Sequence, residues 1–202
     1  VKHHAGLTDP LEVGKLLLDL DNFTGFFQTH CALKLLPLLF VRATELRRAE
    51  WKEIDFEDKM WRIPAERMKM RSPHYVPLAE QSLAILRKLH AATGDGKYVF
   101  PGTRGNGNVI SPSTMLNALR FMGYRKDVMC IHGFRTLAST ILNELGYNRD
   151  WIERQLAHQE RNSVRDAYNS AQYLPQRRTM MQEYADYLDT LREKARTSAA
   201  ND

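Results

Sequence analysis

Apolar residues recur at helical spacing in the first quarter of the chain, change to short alternating runs over residues 54–78, and return to helical spacing afterwards. After Asp9-Pro10, where proline presets φ for a first helical turn, Leu11, Val13, Leu16, Leu17, Leu18 and Leu20 form one stripe. A helix is predicted there. A second is predicted over residues 30–40, and a third from Thr44, read as its N-cap, carrying Leu46, Ala49 and Trp51. Ile54-Asp55-Phe56, then 60–64, then 74–78 are short, apolar-alternating and separated by charged turns, which predicts three antiparallel strands.

Helical patterning resumes over residues 79–89, and a glycine-rich loop, 102–108, precedes a helix capped at Ser111 or Ser113. Phe134, Leu137, Ala138, Ile141, Leu142 and Leu145 fit the one-face helical template at every step, with Gly146 in place to end the helix. A short helix starting around 148–151 is expected to end near His158. A last one, over 175–194, has Met181, Tyr184, Leu188 and Leu191 on one side. The pattern reads as a mainly α fold with a small three-stranded antiparallel β-sheet, α+β in class.

With 202 residues, 43% of them hydrophobic, the chain can bury one substantial core, so one domain is expected over residues 11–196. Residues 1–10 read as the end of an interdomain linker and 197–202 as a disordered tail. A net charge of +5 favours an anionic partner only mildly, because 29 basic residues face 24 acidic ones and their placement must matter more than their sum. Cys31 and Cys130 lie far apart without metal-ligand spacing, which fits a reducing cytoplasm. The most apolar run, 32–41, contains Lys34 and is about half the length a bilayer span needs, so no membrane association is expected.

Six groups stand out by their chemistry: Arg42, Lys69, His132, Arg135, His158 and Tyr168. Planar guanidinium forks match the charge that a phosphodiester under attack places on its nonbridging oxygens, which makes Arg42 and Arg135 phosphate clamps. His132 and Arg135 are three apart at the head of the best-determined helix, whose free N–H groups favour a phosphate as well. Lys69, in a turn before a strand, has the flexible ammonium suited to donating a proton to a leaving alkoxide. Tyr168 offers a hydroxyl nucleophile ten residues after His158, with Tyr173, Tyr184 and Tyr187 as rivals.

These residues carry a resemblance. Phe40-Val41-Arg42-Ala43-Thr44-Glu45-Leu46, Ile63 to Met70, Val76-Pro77-Leu78, His132-Gly133-Phe134-Arg135, Leu156-Ala157-His158 and Ala167-Tyr168-Asn169 resemble the catalytic domain of tyrosine recombinases, in the branch of phage and prophage integrases of enteric bacteria. Nearly the whole chain is covered. Two departures are visible: Phe40 stands where many members have glycine, and the interval from His158 to Tyr168 is slightly long. Counting back seven residues from Val76 makes Lys69 the family's lysine, which leaves Arg67 and Arg71 as weaker DNA-phosphate contacts. Glu45, one turn beyond Arg42, would orient the site.

The resemblance implies site-specific recombination, as in prophage integration and excision. Tyr168 would attack the scissile phosphate to form a 3′-phosphotyrosyl link, with Lys69 protonating the departing 5′-oxygen and His132 and His158 assisting. No cofactor, ATP or metal enters that chemistry. The implied partners are double-stranded DNA attachment sites, a homotetramer assembled on DNA from a domain that can be monomeric alone, and accessory DNA-bending or excision factors. The implied place is the cytoplasm and nucleoid of a bacterial host. The last helix could pack in cis or on a neighbouring subunit. The alternative reading is a noncatalytic architectural DNA-binding factor, which would leave Tyr168 idle.

Overall fold

The computed structural model describes residues 6–69, 71–102, 108–158 and 173–200. Helix α1, Pro10–Asp21, begins where proline predicts it: the Asp9 carboxylate accepts from the N–H groups of Leu11 and Glu12, each at 3.0 Å. Its stripe of Val13, Leu16, Leu17 and Leu20 is buried. Helix α2, Phe27–Leu39, starts three residues before the expected 30 and is buried almost all round, from Cys31 through Leu39. Such a helix belongs at the centre of a core. Around it pack α1, α3 (Ala43–Arg47), α4 (Glu80–Thr93), α5 (Thr114–Phe121), α6 (Gly133–Glu144) and α8 (Leu174–Ala199).

The third helix corrects its prediction. Arg42, not Thr44, is the N-cap, because the Glu45 carboxylate reaches back to the Arg42 backbone N–H at 2.9 Å. The helix stops at Arg47, and Trp51 instead opens a 3₁₀ turn, Trp51–Glu53, with its indole N–H donating to Thr93 O at 2.9 Å.

Strands β1 (Ile54–Asp55), β2 (Met60–Ile63) and β3 (His74–Pro77) form the predicted antiparallel sheet in the order β1-β2-β3. Trp61 sits opposite Ile54 on one side and Val76 on the other. Only Arg62 of β2 faces solvent, where it pairs with Asp55 and Asp58. The β2–β3 connection, which carries a 3₁₀ turn at Ala65–Arg67, leads to Lys69.

Helix α6 buries Phe134, Leu137, Ala138, Ile141 and Leu142 as its template predicts, but Leu145 caps it and is exposed, and Gly146 follows at φ 80°, a conformation in which glycine has no Cβ penalty. Helix α7, Arg149–Gln155, is capped by Asn148, whose side chain accepts from Asp150 N at 2.8 Å. Helix α8 runs past the expected end at 194 to Ala199, so the predicted disordered tail is helical as far as that residue. The extension holds because Ala195 is buried against α1 and Thr197 Oγ1 bonds back to Glu193 O.

Within the chain α8 packs in cis, most extensively on α1. Gly14 permits the close approach: a Cβ there would lie 2.9 Å from Ala195 Cβ. Arg192 of α8 also pairs with Asp21 at 2.8 Å. Among the described residues no helix is long and apolar enough to cross a membrane.

Candidate active site

Three loci far apart in sequence meet at the end of α7. Arg42, leading into α3, donates from Nη2 to Ala157 O at 3.1 Å and from Nη1 to Glu45 Oε1 at 2.8 Å. Arg135, one turn into α6, donates from Nη1 to Phe40 O at 2.8 Å and from Nη2 to Leu156 O at 2.7 Å. The two guanidiniums are thus oriented by consecutive carbonyls. Ala157 adopts φ 48°, a turn that lets the chain leave α7 with both carbonyls facing the arginines.

The two arginines differ in exposure. The Arg42 side chain is 30% exposed, whereas Arg135 is 4% exposed and its Nε finds no acceptor among the described residues. Burial, helped by the neighbouring Arg42 charge, lowers the Arg135 pKa to about 10, so it stays cationic at neutral pH. Two positive groups side by side, with no carboxylate among the described residues paired to Arg135, form a site that an anion would stabilise.

A depression of about 180 Å³ opens beside Arg135, lined by His132, Thr136, Ser139, Thr140, Leu156 and His158. It brings together His132, Arg135 and His158, three of the candidate residues. His158 lies just beyond α7, with Nδ1 2.8 Å from Glu153 Oε2. When Nδ1 carries the proton toward that carboxylate, Nε2 is the free ring nitrogen. The hydroxyls of Thr136, Ser139 and Thr140 on the α6 face were not anticipated. A larger hollow of about 510 Å³ beside Phe23, Phe26 and Phe121 holds no titratable group.

Lys69 is exposed in the β2–β3 connection and does not line the depression. Arg71 is also exposed, at φ 53°. Arg67 has a different setting from the phosphate contact expected of it. Its Nη1 pairs with buried Glu53, and its Nη2 donates to Glu45 O at 2.7 Å. It therefore braces the Lys69-bearing connection against α3. Glu45, only 5% exposed, holds Arg42 with its carboxylate and receives Arg67 on its carbonyl.

Tyr168 lies outside the described residues. Of its rivals, Tyr173 is the N-cap of α8 at φ 62°. Tyr184 is fully buried, and desolvation holds its phenol far above the usual range, which disqualifies it as a nucleophile. Tyr187 is half-buried against the core.

Behind the site lies a polar cluster that sequence reasoning missed. Arg177 of α8 is fully buried and donates to Gln155 Oε1 from Nη2 at 2.6 Å and from Nε at 3.2 Å. It also donates to Tyr75 O. His74 of β3 is buried beside it. A signal was present: Arg177 falls on the same helical stripe as Met181, Tyr184 and Leu188, and a charge in an apolar stripe implies a buried partner.

Comparison with known proteins fits this geometry. The sequence matches the model of the phage integrase family over residues 8–174. It is 45% identical over 195 residues to the integrase of Enterobacteria phage P4, covering 89% of this chain and 44% of that protein. The chain spans about half the length of the curated relatives it matches. Among solved structures it is similar to an integrase from mycobacterium phage Brujita, with TM-score 0.67, 15% identity, and coverage of 90% of this chain and 57% of that one. It is also similar to the XerH site-specific recombinase bound to its difH substrate, with TM-score 0.62, 15% identity, and coverage of 83% and 50%. At those identities the structures speak for the fold alone: a helical domain with a small three-stranded sheet, shared with recombinase and integrase catalytic domains. The profile match and the sequence identity to curated integrases carry the kinship, and on them the chain belongs to the phage integrase family.

Proposed function

We propose that this chain is the catalytic domain of a tyrosine-type site-specific DNA recombinase that integrates and excises a prophage. The observation that carries the reading is the pair of arginines held on successive carbonyls beside a depression lined by both histidines. That arrangement presents preorganised donors to a phosphate, the largest electrostatic contribution such a reaction can use.

In this reading Tyr168 attacks the scissile phosphorus and the bond to the 5′-oxygen breaks, leaving a 3′-phosphotyrosyl link and a free 5′-hydroxyl. The covalent link conserves the phosphodiester energy. A 5′-hydroxyl from a partner strand then reverses the step. Arg42 and Arg135 hold the nonbridging oxygens, and Lys69 gives its proton to the departing 5′-oxygen. His158 takes up the phenolic proton of Tyr168 at Nε2 and, once protonated, donates to the phosphate, and His132 contacts the phosphate as charge develops. For Lys69 to reach that oxygen, the β2–β3 connection must lie along the bound DNA, and the Arg67 brace holds it on the Arg42 side of the molecule. Arg71 contributes a weaker phosphate contact.

The partners follow from the chemistry: duplex attachment sites, and a tetramer of the whole protein that brings two duplexes together, aided by accessory DNA-bending or excision factors. The place of action is the bacterial nucleoid. XerH, similar in fold, was captured on its difH DNA before cleavage, which supports a duplex partner here.

The test uses full-length protein and a nicked suicide duplex carrying its attachment site, with the adduct digested and the modified residue located by mass spectrometry. Modification at Tyr168, lost in Tyr168→Phe, is expected. Modification at Tyr173 would move the nucleophile, and no adduct on a bound site would leave the architectural role.

A further inference from the structure

The carbonyls that orient Arg42 and Arg135 belong to Ala157 and Leu156, the two residues directly after Gln155. Gln155 is itself fully buried, and its side-chain oxygen accepts twice from Arg177. The same guanidinium donates to Tyr75 O, so one side chain ties α8 to the end of α7 and to β3. Among the described residues no carboxylate pairs with it.

A buried guanidinium without a counter-ion is a costly way to hold three elements together, since apolar residues of similar volume commonly do it as well or better. What the fork adds is direction. Its planar donors fix the rotation of the Gln155 amide, and hence the course of the chain immediately before the two carbonyls. A shift there would move both phosphate clamps at once. Small misplacements of that kind cost rate far more than affinity.

We infer that Arg177 is a positioning residue for the cleavage step, acting through Gln155 on the Leu156–Ala157 carbonyls and so on Arg135 and Arg42. The inference rests on the recombinase reading. It makes helix α8 part of the active-site support rather than only a packing element.

The experiment measures single-turnover adduct formation by the full-length protein on saturating suicide duplex, together with DNA affinity and thermal midpoint. The proteins compared are wild type, Arg177→Met, Arg177→Lys, Arg135→Lys and the double variant Arg177→Met/Arg135→Lys. Arg177→Met is expected to slow cleavage about 10- to 100-fold while DNA affinity changes little. Arg177→Lys, which keeps the charge and one donor, is expected to recover part of the rate. Because part of the Arg177 effect passes through Arg135 and the rest through Arg42, the double variant should lose clearly less than the product of the two single losses.

A folded Arg177→Met that cleaves at the wild-type rate overturns the inference. So does a double variant whose loss is the product of the two single losses. Should Arg177→Met not fold, Arg177→Lys and its combination with Arg135→Lys are judged by the same two criteria. Wild type that forms no adduct defeats the recombinase reading and this inference with it, whereas wild-type cleavage with an indifferent Arg177 defeats this inference alone.

Discussion

Arg42 and Arg135 donate to adjacent residues of one peptide segment, Ala157 O at 3.1 Å and Leu156 O at 2.7 Å. The clamp is therefore shared while the burial is not, and the two positions should respond differently to the same substitution. Lysine cannot span the two acceptors that Arg135 bridges, so Arg135→Lys leaves a buried carbonyl unsatisfied. It should cost about 1–3 kcal/mol of stability and about 10²- to 10³-fold in cleavage. Arg42→Lys, partly exposed, should lose comparable activity with at most about 1 kcal/mol of stability. Urea unfolding beside suicide-substrate cleavage separates the two effects; equal stability losses would mean that the burial difference is not felt.

Phe40 illustrates how a departure from a family pattern is accommodated. It adopts φ 38°, a left-handed conformation that favours glycine, and its carbonyl receives Arg135. The fully buried ring meets Tyr184 edge-on at 5.4 Å between centroids, and that packing outweighs a backbone penalty of about 1–2 kcal/mol. Phe40→Gly should relieve the backbone yet lower stability by about 2–3 kcal/mol, because emptying a phenylalanine site costs about 3–5 kcal/mol. Cleavage measured below the new melting temperature should persist, since the carbonyl remains. A more stable Phe40→Gly protein would show that backbone strain dominates.

His74 links the buried cluster to pH. It is held well below its ordinary pKa, first by burial and then by the charges of Arg177, Arg154 and Arg135, so it remains neutral in the folded chain. The unfolded chain takes up a proton near pH 6.5. Below that pH the unfolded state binds more protons, and stability falls as pH falls, by up to about 1.4 kcal/mol per pH unit from this group. Above about pH 7.5 the group contributes no slope. Denaturant midpoints at pH 7.5 and 5.5 should therefore converge in His74→Asn relative to wild type. Burial also lowers the pKa of His30, which acts in the same direction in both proteins. An unchanged pH slope would place the acid sensitivity elsewhere.

The apolar period of α6, the proline entry to α1 and the alternation in β2 and β3 were legible in the chain because each depends on neighbours within one element. The same local logic misplaced the start of α3 and the end of α8. Those boundaries were settled by Glu45 folding back on Arg42 and by Ala195 packing on Gly14. For the site, residue types, their order and the family resemblance picked out Arg42, Lys69, His132, Arg135, His158 and Tyr168 as candidates, and Tyr168 lies outside the described residues.

Sequence by itself determined which groups could do phosphoryl chemistry and which elements carry them, since donor geometry and helical period are properties of residues and their spacing. Only the tertiary structure decided which of the cations face the depression and which are internal braces. Arg67 and Arg135 are both mostly buried arginines, but one meets Glu53 and the other, among the described residues, meets carbonyls and no carboxylate. That difference depends on partners distant in sequence, and burial makes it decisive: a paired charge is internally satisfied, while a cation held only on carbonyls keeps its positive field for an incoming phosphate.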